Sequence, residues 1–196
     1  MDDYGGVVHE EEFLDSVVRD ASTKNHLHFL LVVSEAFFKI KEDDEFHHRW
    51  TTDKNLAEKV HQSLRNLCSN LHDNDLVSES ELIARFLREL KDISKDPKVS
   101  DFAIKWLKLS KQISQNPLGE WGLSKSPNVK MRGIRDYAYL VLRQNGSPMH
   151  FSEVAKSIGK RFGRKAHPAT CHNELIKDQR FVLVGRGIYA LAEWGY

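Results

Sequence analysis

Apolar positions in the last third of the chain follow helical spacing in three successive segments. Residues 132–145 place their apolar side chains on one stripe, which comprises Ile134, Tyr137, Ala138, Val141 and Leu142. A second segment begins at Phe151, and a third spans residues 169–178 with Leu175 and Ile176 as its inward residues. The spacing therefore predicts three helices, with a polar and basic loop over residues 159–165 before the third.

Two runs of β-prone residues follow the third predicted helix. They cover residues 181–184 and 188–191 and flank Gly185-Arg186-Gly187, a sequence suited to a hairpin turn with positive φ. Three helices and a β-hairpin in this order are the parts of a winged helix-turn-helix.

The same pattern recurs twice upstream, with a period of about 70 residues. The apolar triplet of the second helix and its two counterparts are Val154, Ala155 and Ile158, then Leu82, Ile83 and Phe86, then Phe13, Leu14 and Val17. Met149, Val77 and Val8 precede these triplets at the same distance, and Trp194, Trp121 and Trp50 recur near the unit ends, where we assign them to cores. We therefore expect a mainly α protein with small β-hairpins, in the α+β class, built from three tandem winged helix-turn-helix units. The units are residues 1–53, which lack a first helix, residues 54–124, and residues 132–196.

The two upstream units differ from the last one in surface chemistry. The middle unit is predicted to have helices at residues 55–72, 78–91 and 98–111, with its lysines on a solvated helix surface. The first unit has an acidic predicted hairpin turn at residues 41–45 and an almost apolar third helix at residues 26–33. That helix is either buried against the neighbouring unit, which is the favoured interpretation, or offers a protein-binding face.

Charge is divided unevenly along the chain. The formal net charge is +1, but residues 125–196 contain 13 Lys and Arg against 5 Asp and Glu, a net of +8. The first 124 residues therefore carry −7. Such asymmetry suggests that the carboxyl end meets a polyanion.

Several classes of function lack support in the sequence. There is no phosphate-binding GxxxxGK, no GxGxxG, no nucleophile elbow and no HExxH, so we expect no enzyme, no cofactor and no small-molecule substrate. The paired histidines and Cys171-His172 have spacings that do not converge on one ion, so we expect no metal site. The longest apolar run, residues 29–33, is far too short to cross a membrane, and we expect a cytoplasmic protein without a membrane partner.

Nucleic-acid chemistry is better supported, because basic residues cluster where a winged helix needs them. We expect phosphate contacts from the run before the third helix and from the hairpin tip, which provide Lys160, Arg161, Arg164, Lys165 and Arg186. The polar positions of the third helix complete the predicted DNA-binding set: His167, Thr170, His172, Asn173 and Lys177. Asn and Thr suit base edges, Lys suits phosphate, and the short Ala169 permits close approach.

The last unit also resembles a known family. The Pro-Met-His-Phe sequence at residues 148–151 and the Gly-Arg-Gly-Ile-Tyr-Ala-Leu sequence at residues 185–191 are similar to those of the HARE-type winged helix-turn-helix domain. That family occurs in the bacterial RNA polymerase delta subunit, in sigma-factor-like proteins, in restriction endonucleases and in eukaryotic chromatin proteins. The resemblance implies a DNA-associated or polymerase-associated role without catalytic residues, and the chain looks most like the tail of a bacterial sigma-factor-like protein.

Two hypotheses follow. The first is a bacterial transcription protein whose basic C-terminal unit contacts duplex DNA. The alternative is a protein-interaction scaffold that binds RNA polymerase or a partner subunit without touching DNA.

Overall fold

The computed structural model describes residues 2–90 and 98–196. Within these ranges the protein has eight α-helices and three small antiparallel sheets, which confirms the mixed α+β class. It divides into two compact units, one of Met1–Gln115 with Gly119–Lys125 and the other of Asn116–Leu118 with Ser126–Tyr196. None of the described helices combines the length and the apolar character that a membrane crossing requires.

The first compact unit begins with a small sheet and two helices. The elements in chain order are β1 (Val7–His9), α1 (Glu10–Val17), α2 (Ala21–Val33), β2 (Phe38–Ile40) and β3 (Arg49–Thr51). The strand order is β1-β3-β2, with both pairings antiparallel. The chain thus makes a hairpin whose second strand lies in the middle of the sheet.

Helix α2 is longer than the predicted helix over residues 26–33. The side chain of Asp20 accepts a hydrogen bond from the backbone N–H of Thr23 at 2.9 Å, and this N-cap starts the helix at Ala21. The favoured burial of its apolar segment is wrong. Leu31 is 4% exposed and Leu27 is partly buried, whereas four further apolar residues are 56–63% exposed: Phe29, Leu30, Val32 and Val33. These four residues lie on the remaining sides of the helix, and only the side with Leu31 faces a small core, which also contains Val8 and Trp50.

The rest of the first unit holds its main core. The elements are α3 (Lys54–Ser69), α4 (Glu79–Glu89), α5 (Val99–Leu107), β4 (Ile113–Gln115) and β5 (Trp121–Leu123). The three predicted helices are present with shorter carboxyl ends, and Lys91 lies outside the described residues. Each helix directs fully buried side chains into one cluster, which includes Leu64, Leu82, Phe86 and Trp106.

Three lysines within and after α5 lie at the surface, as expected, and each has a partner in the first part of the chain. Lys105 donates to the backbone carbonyl of Asp3 at 2.6 Å, Lys108 lies 3.6 Å from Glu12, and Lys111 lies 2.9 Å from Glu42. The acidic hairpin loop therefore has cationic partners inside its own compact unit.

The second compact unit has three helices and a hairpin at the places that the sequence predicts, and a further short strand completes a three-stranded sheet. The elements are α6 (Ile134–Asn145), β6 (Met149–His150), α7 (Phe151–Phe162), α8 (Pro168–Lys177), β7 (Phe181–Gly185) and β8 (Ile188–Leu191). The strand order is β6-β8-β7, so the second strand of this hairpin again lies in the middle. Its core includes Leu140, Ile158, Leu175 and Tyr189.

The recurring tryptophans occupy unlike positions. Trp50 and Trp121 are 1% and 4% exposed and lie on strands, opposite Val8 and Val77 respectively. The residue opposite Met149 is Tyr189, not a tryptophan. Trp194 lies in a 3-10 turn after β8 and is partly exposed, so its assignment to the core is wrong.

Candidate nucleic-acid interface

Helix α8 presents a polar face next to a basic segment. The side chain of His167 caps the helix by accepting from the backbone N–H of Ala169 at 3.3 Å, and Pro168 occupies its first turn. Cys171 and Leu175 are 0% and 1% exposed and hold one side of the helix in the core. The opposite side is therefore free to meet a ligand.

The exposed side of α8 consists of five residues, namely Ala169, Thr170, Asn173, Ile176 and Lys177. Ile176 was expected to point inward, but it is 61% exposed. At about 100° per residue, Ile176 lies within about 60° of Asn173 and well away from the side of the helix that Cys171 and Leu175 bury. This spacing was present in the sequence and would have placed Ile176 on the outer face.

His172 does not belong to that exposed face. Its ring lies 4.5 Å from the ring of Phe151, and its Nδ1 atom is 3.0 Å from the hydroxyl of Tyr189. The half-buried imidazole thus links α8 to α7 and β8. One ring nitrogen and one ring face are therefore already occupied, and its expected place beside DNA bases stays a prediction.

The basic segment before α8 is partly helical. Helix α7 continues to Phe162 and ends at Gly163, whose φ of 63° lies in the left-handed region. The loop predicted at residues 159–165 is therefore shorter, and Lys160 and Arg161 lie in the last turn of α7. Cations there are favoured by the negative end of the helix dipole.

The four cations of this segment differ in what they contact. Arg161 donates a hydrogen bond to the side chain of Gln144, and the guanidinium of Arg164 lies 5.2 Å from the centre of the Tyr137 ring. Both residues contact the unit's own side chains but remain exposed. Lys160 and Lys165 are exposed, and no described carboxylate forms an ion pair with either.

The hairpin tip is tied to the start of α7. The backbone N–H of Phe151 donates to the carbonyl of Gly187 at 3.0 Å. Gly187 has a φ of 70°, and a Cβ atom there would lie 2.7 Å from Nε2 of His150, so a larger residue would not fit. This contact fixes the neighbouring Arg186, which is exposed at the tip.

A partly buried ionic cluster fixes the turn between α8 and β7. Arg180 donates from Nη2 to Asp178 at 2.7 Å and to Asp136 at 2.8 Å, and Asp136 is only 2% exposed. The hydrogen bond from Arg180 lowers the pKa of Asp178, while burial opposes that shift. Arg180 is therefore committed to the fold and is not available to a polyanion.

Cys171 has no sign of reactivity. Burial raises the pKa of its thiol to about 11, so the thiol stays protonated near neutral pH. The residue acts as a small apolar group in the core.

Three packed helices, of which the third exposes a polar face, define a helix-turn-helix domain. Residues 132–194 match the family model HARE-HTH, a helix-turn-helix domain whose name refers to ASXL and restriction endonuclease proteins. The match covers every helix and strand of the second unit, about a third of the chain, and confirms the resemblance seen in the sequence. No curated protein and no solved structure matches the chain.

Proposed function

We propose that this chain binds duplex DNA through its second unit, in a non-catalytic role associated with transcription. The observation that carries the proposal is the exposed polar face of α8, which has cationic residues before it in the chain and at the tip of the hairpin that follows. An exposed helix of this kind fits the major groove, and cations beside it reach the phosphates.

The residues divide into two roles. Phosphate contacts come from exposed cations at the end of α7, in the following loop and at the hairpin tip: Lys160, Arg161, Arg164, Lys165 and Arg186. His167, Thr170 and Asn173 are nearest the bases, since the amino-terminal part of a recognition helix contacts base edges. Lys177 adds a phosphate contact from the last turn of α8.

We further infer that the chain holds three winged-helix-like units of common descent. In each third, a residue that precedes a helix pairs with an aromatic residue on the last strand of a hairpin, as in Val8–Trp50, Val77–Trp121 and Met149–Tyr189. The polar atom of each aromatic side chain also has a partner on an adjacent helix, because Trp50, Trp121 and Tyr189 contact Glu10, Glu79 and His172 respectively. This shared arrangement supports the repeat, while the first two thirds of the chain pack into one compact unit.

Binding should be tested by fluorescence anisotropy of the full chain with a labelled 16-base-pair duplex at 50 and 200 mM salt. Phosphate neutralisation releases counterions, so four to six phosphate contacts should weaken binding by about 10²- to 10³-fold over this range. Absence of binding at 50 mM salt would reject the proposal.

A charge reversal on the proposed interface provides the matched comparison. Lys165→Glu should weaken binding by about tenfold at 50 mM salt, because it replaces one phosphate contact with a repulsive charge. Lys59→Glu makes the same change in net charge on an exposed position of α3 and should leave the affinity unchanged. Equal losses in both variants would mean that net charge, and not this surface, governs binding.

A second candidate function is a protein-interaction scaffold. The specific observation in its favour is the exposed apolar side of α2, where Phe29 and Leu30 are 63% and 60% exposed. Such a patch is typical of a surface that another protein covers. RNA polymerase is the partner class that the sequence resemblance suggests.

Co-elution with purified RNA polymerase distinguishes the two candidate functions. The scaffold role predicts that Phe29→Ser abolishes co-elution of the chain with polymerase, whereas Lys165→Glu has no effect. The DNA-binding role predicts that Lys165→Glu weakens duplex binding and that Phe29→Ser leaves it unchanged.

A further inference from the structure

The exposed face of α8 has a defined centre. Asn173 lies opposite the side of the helix that Cys171 and Leu175 bury, about 160° from each. Ala169 lies one turn before Asn173, and Lys177 lies one turn after it. Asn173 is thus the side chain that would point most directly into a groove.

The chemistry at this centre matches one kind of base pair. A side-chain amide offers one donor and one acceptor, and adenine presents a matching N7 acceptor and N6 donor in the major groove. Methyl groups of Ala169, Thr170 and Ile176 flank the amide, and they are suited to contact the 5-methyl group of thymine. Adenine and thymine therefore both have complementary groups on this face.

The same face has little that would read guanine. Arg is the residue most often bidentate to guanine, and no Arg lies on α8. Lys177 is in the last turn, away from the amino-terminal end that contacts bases. Glu174 and His172 lie at the margins and are only partly exposed, and His172 already contacts Tyr189.

We infer that α8 selects A·T base pairs in the major groove, with Asn173 reading adenine and the flanking methyl groups contacting thymine. This inference rests on the proposed DNA-binding function and names the sequence class that the interface prefers.

The test compares four labelled 16-base-pair duplexes by anisotropy with the full chain at 50 mM salt. One contains mixed A and T without long A runs, one contains mixed G and C, and two repeat the A·T sequence with 7-deazaadenine or with uracil in place of thymine. The last two change only major-groove groups, because they remove the adenine N7 acceptor or the thymine methyl.

We expect about tenfold tighter binding to the A·T duplex than to the G·C duplex, which is the discrimination of one bidentate contact. Substitution with 7-deazaadenine, and the variant Asn173→Ala, should each remove most of this preference. Uracil should reduce it in part. Asn25→Ala, at an exposed position of α2, is the matched control and should keep the full preference.

Equal binding to the A·T and G·C duplexes would overturn the inference and leave the proposed function standing. A preference that survives both 7-deazaadenine and Asn173→Ala would overturn it too, since the discrimination would then come from groove shape. Failure to bind any of the four duplexes would overturn the proposed function, and the inference with it.

Discussion

Helices α2 and α8 occupy equivalent places in two similar pieces of chain, yet they present opposite chemistry. Each follows a strand and a helix, precedes a hairpin, and packs a leucine into a core, Leu31 in α2 and Leu175 in α8. Two residues before and two residues after the leucine, α2 has Phe29 and Val33. At the same places α8 has Asn173 and Lys177.

The hairpins that follow these helices differ in the same sense. In the second unit the tip exposes Arg186. In the first unit the loop is acidic, and its carboxylates are held by cations, as in the pairs Glu42–Lys111 at 2.9 Å and Glu45–Arg65 at 2.8 Å. Packing constrains only the buried positions, so the exposed surfaces of the two helices and of their hairpins can differ in chemistry.

The largest expected effect concerns the buried leucine of α8. Leu175→Ala should destabilise the second unit by about 3 kcal/mol, because it leaves a cavity where a 1% exposed side chain packs. Urea unfolding, followed by hydrogen exchange of peptides from α6 to α8, would measure the loss.

The neighbouring position provides the control for this cavity. Ile176→Ala removes a side chain of similar size that is 61% exposed, and it should change the stability by less than about 0.5 kcal/mol. If both variants lost the same stability, Ile176 would be packed in solution and could not face a ligand.

An arginine takes part in the packing of each unit, and the two arginines differ in burial and in partners. Arg49 is 2% exposed and donates to Nε2 of His61 at 2.7 Å and to the carboxylate of Asp43 at 3.2 Å. Arg180 is partly buried and pairs with the carboxylates of Asp178 and Asp136. Burial, and then the charge of Arg49, lower the pKa of His61 from 6.5 to about 4. The folded first unit therefore binds fewer protons than the unfolded chain between these pH values.

Acid should consequently weaken the first unit before the second. Stability falls as the pH drops from 6.5 towards 4, and the loss from His61 at pH 5 is about 2 kcal/mol. The hydrogen bond from Arg180 lowers the pKa of Asp178. Its contribution to the stability of the second unit is therefore lost only as the pH falls below the ordinary carboxyl value of 3.8. Thermal unfolding at pH 7 and pH 5, followed by tryptophan fluorescence, reports mainly on the first unit, which contains Trp50, Trp106 and Trp121.

Gln at position 61 can accept from Arg49 without titrating. His61→Gln should therefore remove most of the difference between pH 7 and pH 5. An unchanged pH dependence in this variant would show that other groups, such as the half-buried His47, dominate it.

The helices and hairpins were predictable where local signals agree with packing. The first helix of the second unit follows from the stripe that includes Ile134 and Leu142, and its hairpin follows from the glycines around Arg186. The helical conformation of Lys160 and Arg161 was not predictable from the sequence. Gly159 resembles the end of a helix, but the residue with a positive φ that ends α7 is Gly163. The role of His172 depends on contacts with Phe151 and Tyr189, which are distant in sequence.

The smallest expected effect would sharpen the contrast between the two helices. Phe29→Ser with Val33→Ser should change the free energy of unfolding by less than about 0.5 kcal/mol, because both side chains are more than half exposed. Urea unfolding of the full chain measures this directly, with Leu31→Ala as the matched variant that should lose about 3 kcal/mol. A loss above about 1 kcal/mol in the double variant would mean that the apolar side of α2 is covered in the isolated protein. The difference from α8 would then lie in packing within the chain and not in the class of partner that each helix meets.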